Sequence, residues 1–253
     1  MKNNRIIWGI VALTVLITVA ATLGTLDSHS QQNSIGQSQP TPTPESPFGD
    51  LSKYPIADYD AQLPENAAER EERIIKNKRY DVSLPVAKNP PPDITAIGGY
   101  DVEPLCPAIP FAESRLIVIG EIINSKALLS NEKKGIYSEY SVRIQTILKD
   151  DKRKKWKAGE TITVDRAGGL VRYPSGQKVL YFIEWQALPK VSGRYVFFLS
   201  NDDDQNPNYK MLTAYELKND KVTALDHHDD FREFNGMSET DFIKLVSSKN
   251  NRR

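Results

Sequence analysis

The sequence predicts a mainly β protein: a small antiparallel barrel or sandwich with a C-terminal helix, preceded by an N-terminal transmembrane helix. Three observations carry this expectation. Short stretches after residue 111 alternate apolar and polar residues with period two, with turn signals between them. No helical pattern separates those stretches, which argues against a crossover α/β fold. Residues 6–26 carry no charged side chain. The chain divides into a signal anchor at 1–26, a Pro/Ser/Gln-rich linker at 27–63, a helix and Pro-rich segment at 64–110, and a β-rich extracytoplasmic domain at 111–253.

At about 1.5 Å per residue, residues 6–26 span about 31 Å, close to the thickness of a bilayer core. Lys2 and Arg5 precede the run and Asp27 follows it. The excess of positive charge places the N-terminus in the cytoplasm and the rest outside, as a single-pass membrane protein. Secretion after signal cleavage is the alternative, since Thr22-Leu23-Gly24 has a small-x-small form. The Pro40-Thr41-Pro42-Thr43-Pro44 run in the linker favours an extended polyproline II stalk.

A helix is expected over 64–79. Pro64 suits the first helical position, Glu69, Glu71 and Glu72 fall early, and Arg73, Lys76, Lys78 and Arg79 fall late, in keeping with the helix dipole. Glu69–Arg73 and Glu72–Lys76 are favourable i,i+4 pairs. The apolar content is thin, so the helix reads as a solvated surface element. Residues 82–110 read as loop with at most a short edge strand.

The β pattern begins at 116–123, aliphatic on both faces and interrupted by Gly120, where a bend or bulge is expected. Tyr140, Val142, Ile144, Thr146 and Leu148 alternate with polar residues. A shorter strand follows at 161–164. Pro174-Ser175-Gly176 turns the chain into Val179, Tyr181, Ile183 and Trp185, a hairpin. A second hairpin joins 194–199 to 209–217, and 218–221 is a tight turn into a last strand at 222–225. Ser238 with Asp241 has the form of a helix-capping box, with Phe242, Leu245 and Val246 on the apolar face.

The stretch from Phe111 through Ile119-Gly120-Glu121-Ile122, followed by Tyr140-Ser141-Val142-Arg143-Ile144 and on to Lys149, resembles the opening of netrin-type and metalloproteinase-inhibitor domains. It is also similar to uncharacterised secreted bacterial β-domains. The resemblance covers residues 111–149 and implies an OB-like barrel. The inhibitors act through a Cys-x-Cys at the extreme N-terminus. Here Cys106 lies deep in the chain behind Glu103-Pro104-Leu105, and no second cysteine exists. The inhibitory chemistry is therefore not expected to carry over.

Lys plus Arg equals Asp plus Glu, 33 against 33, so no global field draws the chain to nucleic acid. One cysteine permits no internal disulfide. His227-His228-Asp229-Asp230 contains metal-ligand types, but adjacent side chains diverge and the third histidine, His29, lies in the linker. Asp202-Asp203-Asp204 lacks the glycine and glutamate spacing of a calcium loop. The basic run 149–157, with Trp156, has the composition of an anion-binding patch, diluted by Asp150 and Asp151. Gly168-Gly169 fits a β-bulge. No nucleotide fingerprint, phosphate loop, nucleophile elbow or zinc-helix motif occurs. No catalytic, cofactor-binding or metal residue is assigned. The expected function is a binding or structural module at the cell envelope, held to the membrane by residues 6–26 and meeting an envelope protein partner. An inhibitor or regulator of an extracellular enzyme and an enzyme with an unrecognised carboxylate site are the alternatives.

Overall fold

The structure, a computed structural model, describes residues 50–99, 106–201 and 206–249, all within one compact unit. The expected membrane helix at 6–26, the Pro-rich stalk, His29 and Asp202–Asp204 lie outside the described residues. Among the described residues no helix is long and apolar enough to cross a membrane.

The strands are β1 (Ile56–Asp58), β2 (Ala96–Gly99), β3 (Leu116–Leu129), β4 (Ile136–Lys149), β5 (Thr161–Ala167), β6 (Gly169–Arg172), β7 (Lys178–Ile183), β8 (Arg194–Ser200), β9 (Tyr209–Lys218) and β10 (Lys221–Ala224). The helices are α1 (Ala67–Lys78), α2 (Asp229–Arg232) and α3 (Glu239–Ser248). A four-stranded sheet has the order β1-β6-β7-β2, and a six-stranded sheet the order β10-β9-β5-β4-β3-β8. Because β9 also pairs with β8, the pairings β9-β5-β4-β3-β8 return on themselves.

The mainly β character and the C-terminal helix are as expected. The antiparallel expectation is corrected: β1–β6, β2–β7 and β5–β9 pair in parallel. Two of those pairings come from the segments read as linker and Pro-rich loop. Strands of three and four residues among prolines carry no period-two signature, and their register is set by the partners β6 and β7.

The β3–β4 hairpin is the longest element, with 14 residues in each strand. Its register shifts at Ile117/Val118 and Ile119/Gly120, where Leu148 and Gln145 of β4 are extra, and at Ile122/Asn124, where Ile123 of β3 is extra, so the hairpin bends. Gly120 sits at one shift, where an added Cβ would fall 2.5 Å from a Val142 methyl. The bend lets one hairpin serve both sheets. Val118, Ile122, Tyr140 and Val142 join the cluster inside the five-strand cycle, with Phe197 and Leu199. Ala127 and Ile136, at the far end, pack with Val171, Val179 and Tyr181 of the four-stranded sheet. A third cluster holds Phe242 and Val246 of α3 against Ile117, Ile119, Phe198 and Tyr215.

Helix α1 starts at Ala67 rather than Pro64. The Asn66 side chain accepts from the Ala68 and Glu69 backbone N–H groups, which fixes the N-terminus there. Of the two expected charge pairs, Glu72–Lys76 forms at 2.8 Å and Glu69–Arg73 does not. The helix is not merely solvated, because its C-terminal end is locked to β5. Arg79 and Tyr80 both donate to the Asp165 carboxylate, Tyr80 at 2.8 Å. Tyr80 stacks on Tyr137 at 4.4 Å, and the Tyr137 hydroxyl donates to Asn77 Oδ1. Gly135 lies so close beneath that an added Cβ would meet the Tyr80 carbonyl at 2.1 Å.

At the other end of the chain, Asn219 and Asp220 take φ of 52° and 58°, as a type I′ hairpin turn between β9 and β10 requires. Ser238 Oγ accepts from Asp241 N and donates to its carboxylate, so Ser238 caps α3 as expected, with Asp241 held by the serine hydroxyl. The stretch after β10 contains the one-turn helix α2, whose Phe231 is fully buried under Trp185.

Asp165 is completely buried, and burial pushes its carboxyl up to about 6 against the attraction of Arg79. The folded value exceeds the ordinary 3.8, so the folded state holds the proton more tightly. The contribution of this group to stability is complete below pH 3.8 and is lost as pH rises through about 6. Asp165→Asn is expected to remove that decline from denaturant-unfolding curves collected across this range. Asp165→Ala, which leaves Arg79 without its partner, should cost about 3–5 kcal/mol at neutral pH.

Candidate functional site

A cleft of about 400 Å³ opens at the seam between the two sheets. Its floor is apolar: Leu180 and Ile183 of β7, Leu188 of the following loop, and Leu225 just after β10. Tyr54, Phe182 and Tyr195 add rings, and Glu184, Glu216 and Lys190 add charge. His227 lines it too. Glu184 and His227 are shared with a shallower hollow that also takes in Trp185, His228 and Asp229. The two depressions therefore adjoin.

Each wall has a local cause. Tyr195 opens the inner face of β8, and its hydroxyl accepts from Lys190 N at 3.0 Å, which folds the 189–193 loop over the strand. Burial pushes the Tyr195 phenol up to about 12, so it stays neutral. Glu216 lies directly across from Tyr195 in the β8–β9 register, so both side chains leave the same face. His227 is placed by its backbone N–H, which donates to the Trp185 carbonyl at 2.9 Å.

Behind the cleft lies a buried ion pair. Arg166 of β5, only 1% exposed, donates to Asp226, which is equally buried. The same Asp226 oxygen accepts from the Ala187 N–H at 3.3 Å, tying the cleft floor to the pair. Burial pushes the Asp226 carboxyl above the usual carboxylate range, against the opposing pull of Arg166. Arg166 Nε and Nη1 have no hydrogen-bond partner among the described residues. Cys106 lies nearby, half-buried against the Leu212 carbonyl, and its thiol is pushed up to about 11, mainly by burial. A thiol held protonated is a poor nucleophile.

The sequence-derived candidates fare differently. The structure brings His227, His228 and Asp229 to the cleft and its hollow, but His228 acts as the N-cap of α2, accepting from Asp230 N. Among the described residues no group of three or more His, Cys, Asp or Glu could hold a metal ion. In the basic run, Lys149 is held by the Phe111 and Ser114 carbonyls, and Lys154 lies 3.8 Å over the Trp156 ring. Trp156 in turn donates to Tyr209. Those contacts brace the β4–β5 loop. Gly168 and Gly169 have φ of 105° and 152° and let β6 approach the β3–β4 hairpin, where an added Cβ on Gly169 would lie 2.9 Å from Ala127.

A larger open groove runs between α1 and the β3–β4 hairpin tip, lined by Leu63, Ile74, Ile75 and Leu129. Its principal charges are already satisfied internally: Arg79 by Asp165, Asp81 by Asn131, Lys133 by Asp60. In the cleft, by contrast, neither Glu184 nor Glu216 makes a side-chain hydrogen bond or ion pair among the described residues. Unspent polar groups mark the cleft as the candidate site.

Sequence reading missed Glu184 and Glu216. The alternation Tyr209, Met211, Thr213, Tyr215 puts Glu216 on the outer face. A register shift between Phe198 and Leu199 leaves Leu212 as an extra residue and reverses the facing beyond it. Compared with known proteins, the chain matches no family model, no curated protein and no solved structure.

Arg166→Met and Asp226→Leu are each expected to cost about 3–5 kcal/mol, since either leaves a buried charge alone. The double variant should be clearly more stable than either single one, a coupling that a denaturation-based double-mutant cycle measures directly.

Proposed function

We propose that this chain is a membrane-tethered extracytoplasmic binding module that takes a small ligand in the cleft between its sheets. The observation that carries this reading is the cleft itself: an apolar floor, aromatic walls and two carboxylates that form no ion pair among the described residues. Its volume, about 400 Å³, falls within the range of small-molecule sites. The tether is residues 6–26, whose uncharged length and flanking charges fit a signal anchor.

The pairing cycle supports an OB-like barrel as the finer description of the fold. The cycle runs β3-β4-β5-β9-β8 and closes through β8–β3, with β5–β9 its parallel junction. On this reading Tyr195 and Glu216 face the barrel interior at one mouth, and barrel mouths are frequent ligand sites. A second reading, an enzyme with a carboxylate site, is favoured by the unpaired Glu184 and Glu216, because two carboxyl groups flanking a substrate can serve glycoside hydrolysis.

Calorimetric titration of the full chain with a panel of amines, amino acids, sugars and carboxylic acids is expected to give at least one saturable binder. Ala224→Trp, which fills the cleft from the β10 side, should abolish that binding. A panel without a binder, or a binder indifferent to Ala224→Trp, sinks the reading. Mass spectrometry of the recovered ligand separates the two functions: a binding module returns it unchanged and an enzyme does not. For the tether, the full chain should resist alkaline carbonate extraction from membranes, and a chain lacking residues 6–26 should be released. A full-length product that appears in the soluble fraction without its first residues would establish the secreted alternative instead.

A further inference from the structure

The class of ligand can be taken one step further, on the premise that the cleft is a binding site. We infer that the cleft takes a small organic cation: an ammonium group on an alkyl stem. Glu216 carries most of the argument. By register it shares a face with Tyr195, Phe197 and Ala214, three members of the apolar cluster inside the five-strand cycle. It is half-buried at the end of that face, and it forms no ion pair among the described residues. A carboxylate drawn partly out of water without a partner is costly, and a ligand cation removes the cost.

The rest of the cleft fits the same occupant. Glu184 adds a second unpaired carboxylate from the end of β7, against a single lysine, Lys190, so the cleft is net acidic. Asp229 in the adjoining hollow adds to that charge. Tyr54 and Phe182 line the same space, and aromatic rings attract an ammonium group through their π faces. Leu180, Ile183 and Leu188 offer an apolar bed for the stem, and the water they exclude strengthens the charge–charge attraction. A carboxylic acid or phosphate would meet two carboxylates with one lysine to offset them. A neutral polyol would leave Glu216 uncompensated.

The test uses 1,5-diaminopentane and its neutral isostere 1,5-pentanediol, titrated into the full chain at pH 7 by calorimetry. The diamine should bind saturably and more weakly as salt rises, and the diol should not bind. Glu216→Gln should weaken the diamine by about tenfold or more, the scale of one charge-assisted hydrogen bond. Glu184→Gln, at an exposed position where folding is not in question, should weaken it too. Diol binding equal to the diamine, or unchanged affinity in both variants, overturns the cationic assignment. If the diamine fails but a neutral or acidic compound binds and is blocked by Ala224→Trp, the cation assignment falls and the cleft stands as a binding site. If no compound of any charge binds, both fall together.

Discussion

Two adjacent residues of β5, Asp165 and Arg166, hold the molecule together. They point to opposite faces of the strand, and each carries a buried charge. On one face Asp165 receives Arg79 and Tyr80, which fastens the end of α1 to the sheet. On the other Arg166 reaches Asp226, which fastens the segment after β10 and, through the Ala187 N–H, the loop after β7. Both the N-terminal and the C-terminal additions to the five-strand cycle are thus clamped by neighbouring positions on one strand. Buried ion pairs of this kind add little net stability over apolar replacements, but a broken one is heavily penalised. They therefore select one arrangement of the flanking segments over others.

The cleft is a product of that arrangement. Its walls come from β7, β8, β9 and the segment after β10, elements far apart in the chain. The Arg166–Asp226 pair fixes two of them relative to each other, since Asp226 sits between the lining residues Leu225 and His227 and also binds the backbone of Ala187. The protein thus spends its internal charge on positioning, and among the described residues Glu184 and Glu216 have no side-chain partner. The groove beside α1 shows the reverse allocation. There Arg79 and Asp81 dock the helix and its following turn, and Lys133 pairs with Asp60 at the hairpin tip, where Glu132 and Lys133 adopt positive φ.

Much of the fold was legible because it follows local rules. Period-two alternation marked β4, the Pro174–Gly176 turn marked the β6–β7 hairpin, Asn219-Asp220 marked the turn into β10, and Ser238 with Asp241 marked the start of α3. Gly120 marked an irregularity that the structure places as a register shift against β4, with Gln145 the extra residue. The failures share one cause. Strand β1 exists only because β6 offers a parallel edge to a short segment that has no pattern of its own, whereas β2 is the short edge strand allowed within 82–110, and only its parallel pairing with β7 went unread. The start of α1 was misplaced because Pro64 is permissive there, and it is the Asn66 side chain that holds the first free N–H groups.

The sequence by itself determined the β character, the main hairpins, the capped C-terminal helix and the uncharged run at 6–26, because each is written in neighbouring residues. It also contained His227 and His228, but not the company they keep. Only the tertiary structure decided that Glu184 and Glu216 line one cleft at the seam of two sheets. A bulge one residue long at Leu212 reverses the facing of β9, and Asp226 draws the chain back over β5. Facing and closure depend on which strands pair and in what register, which is a property of partners distant in sequence.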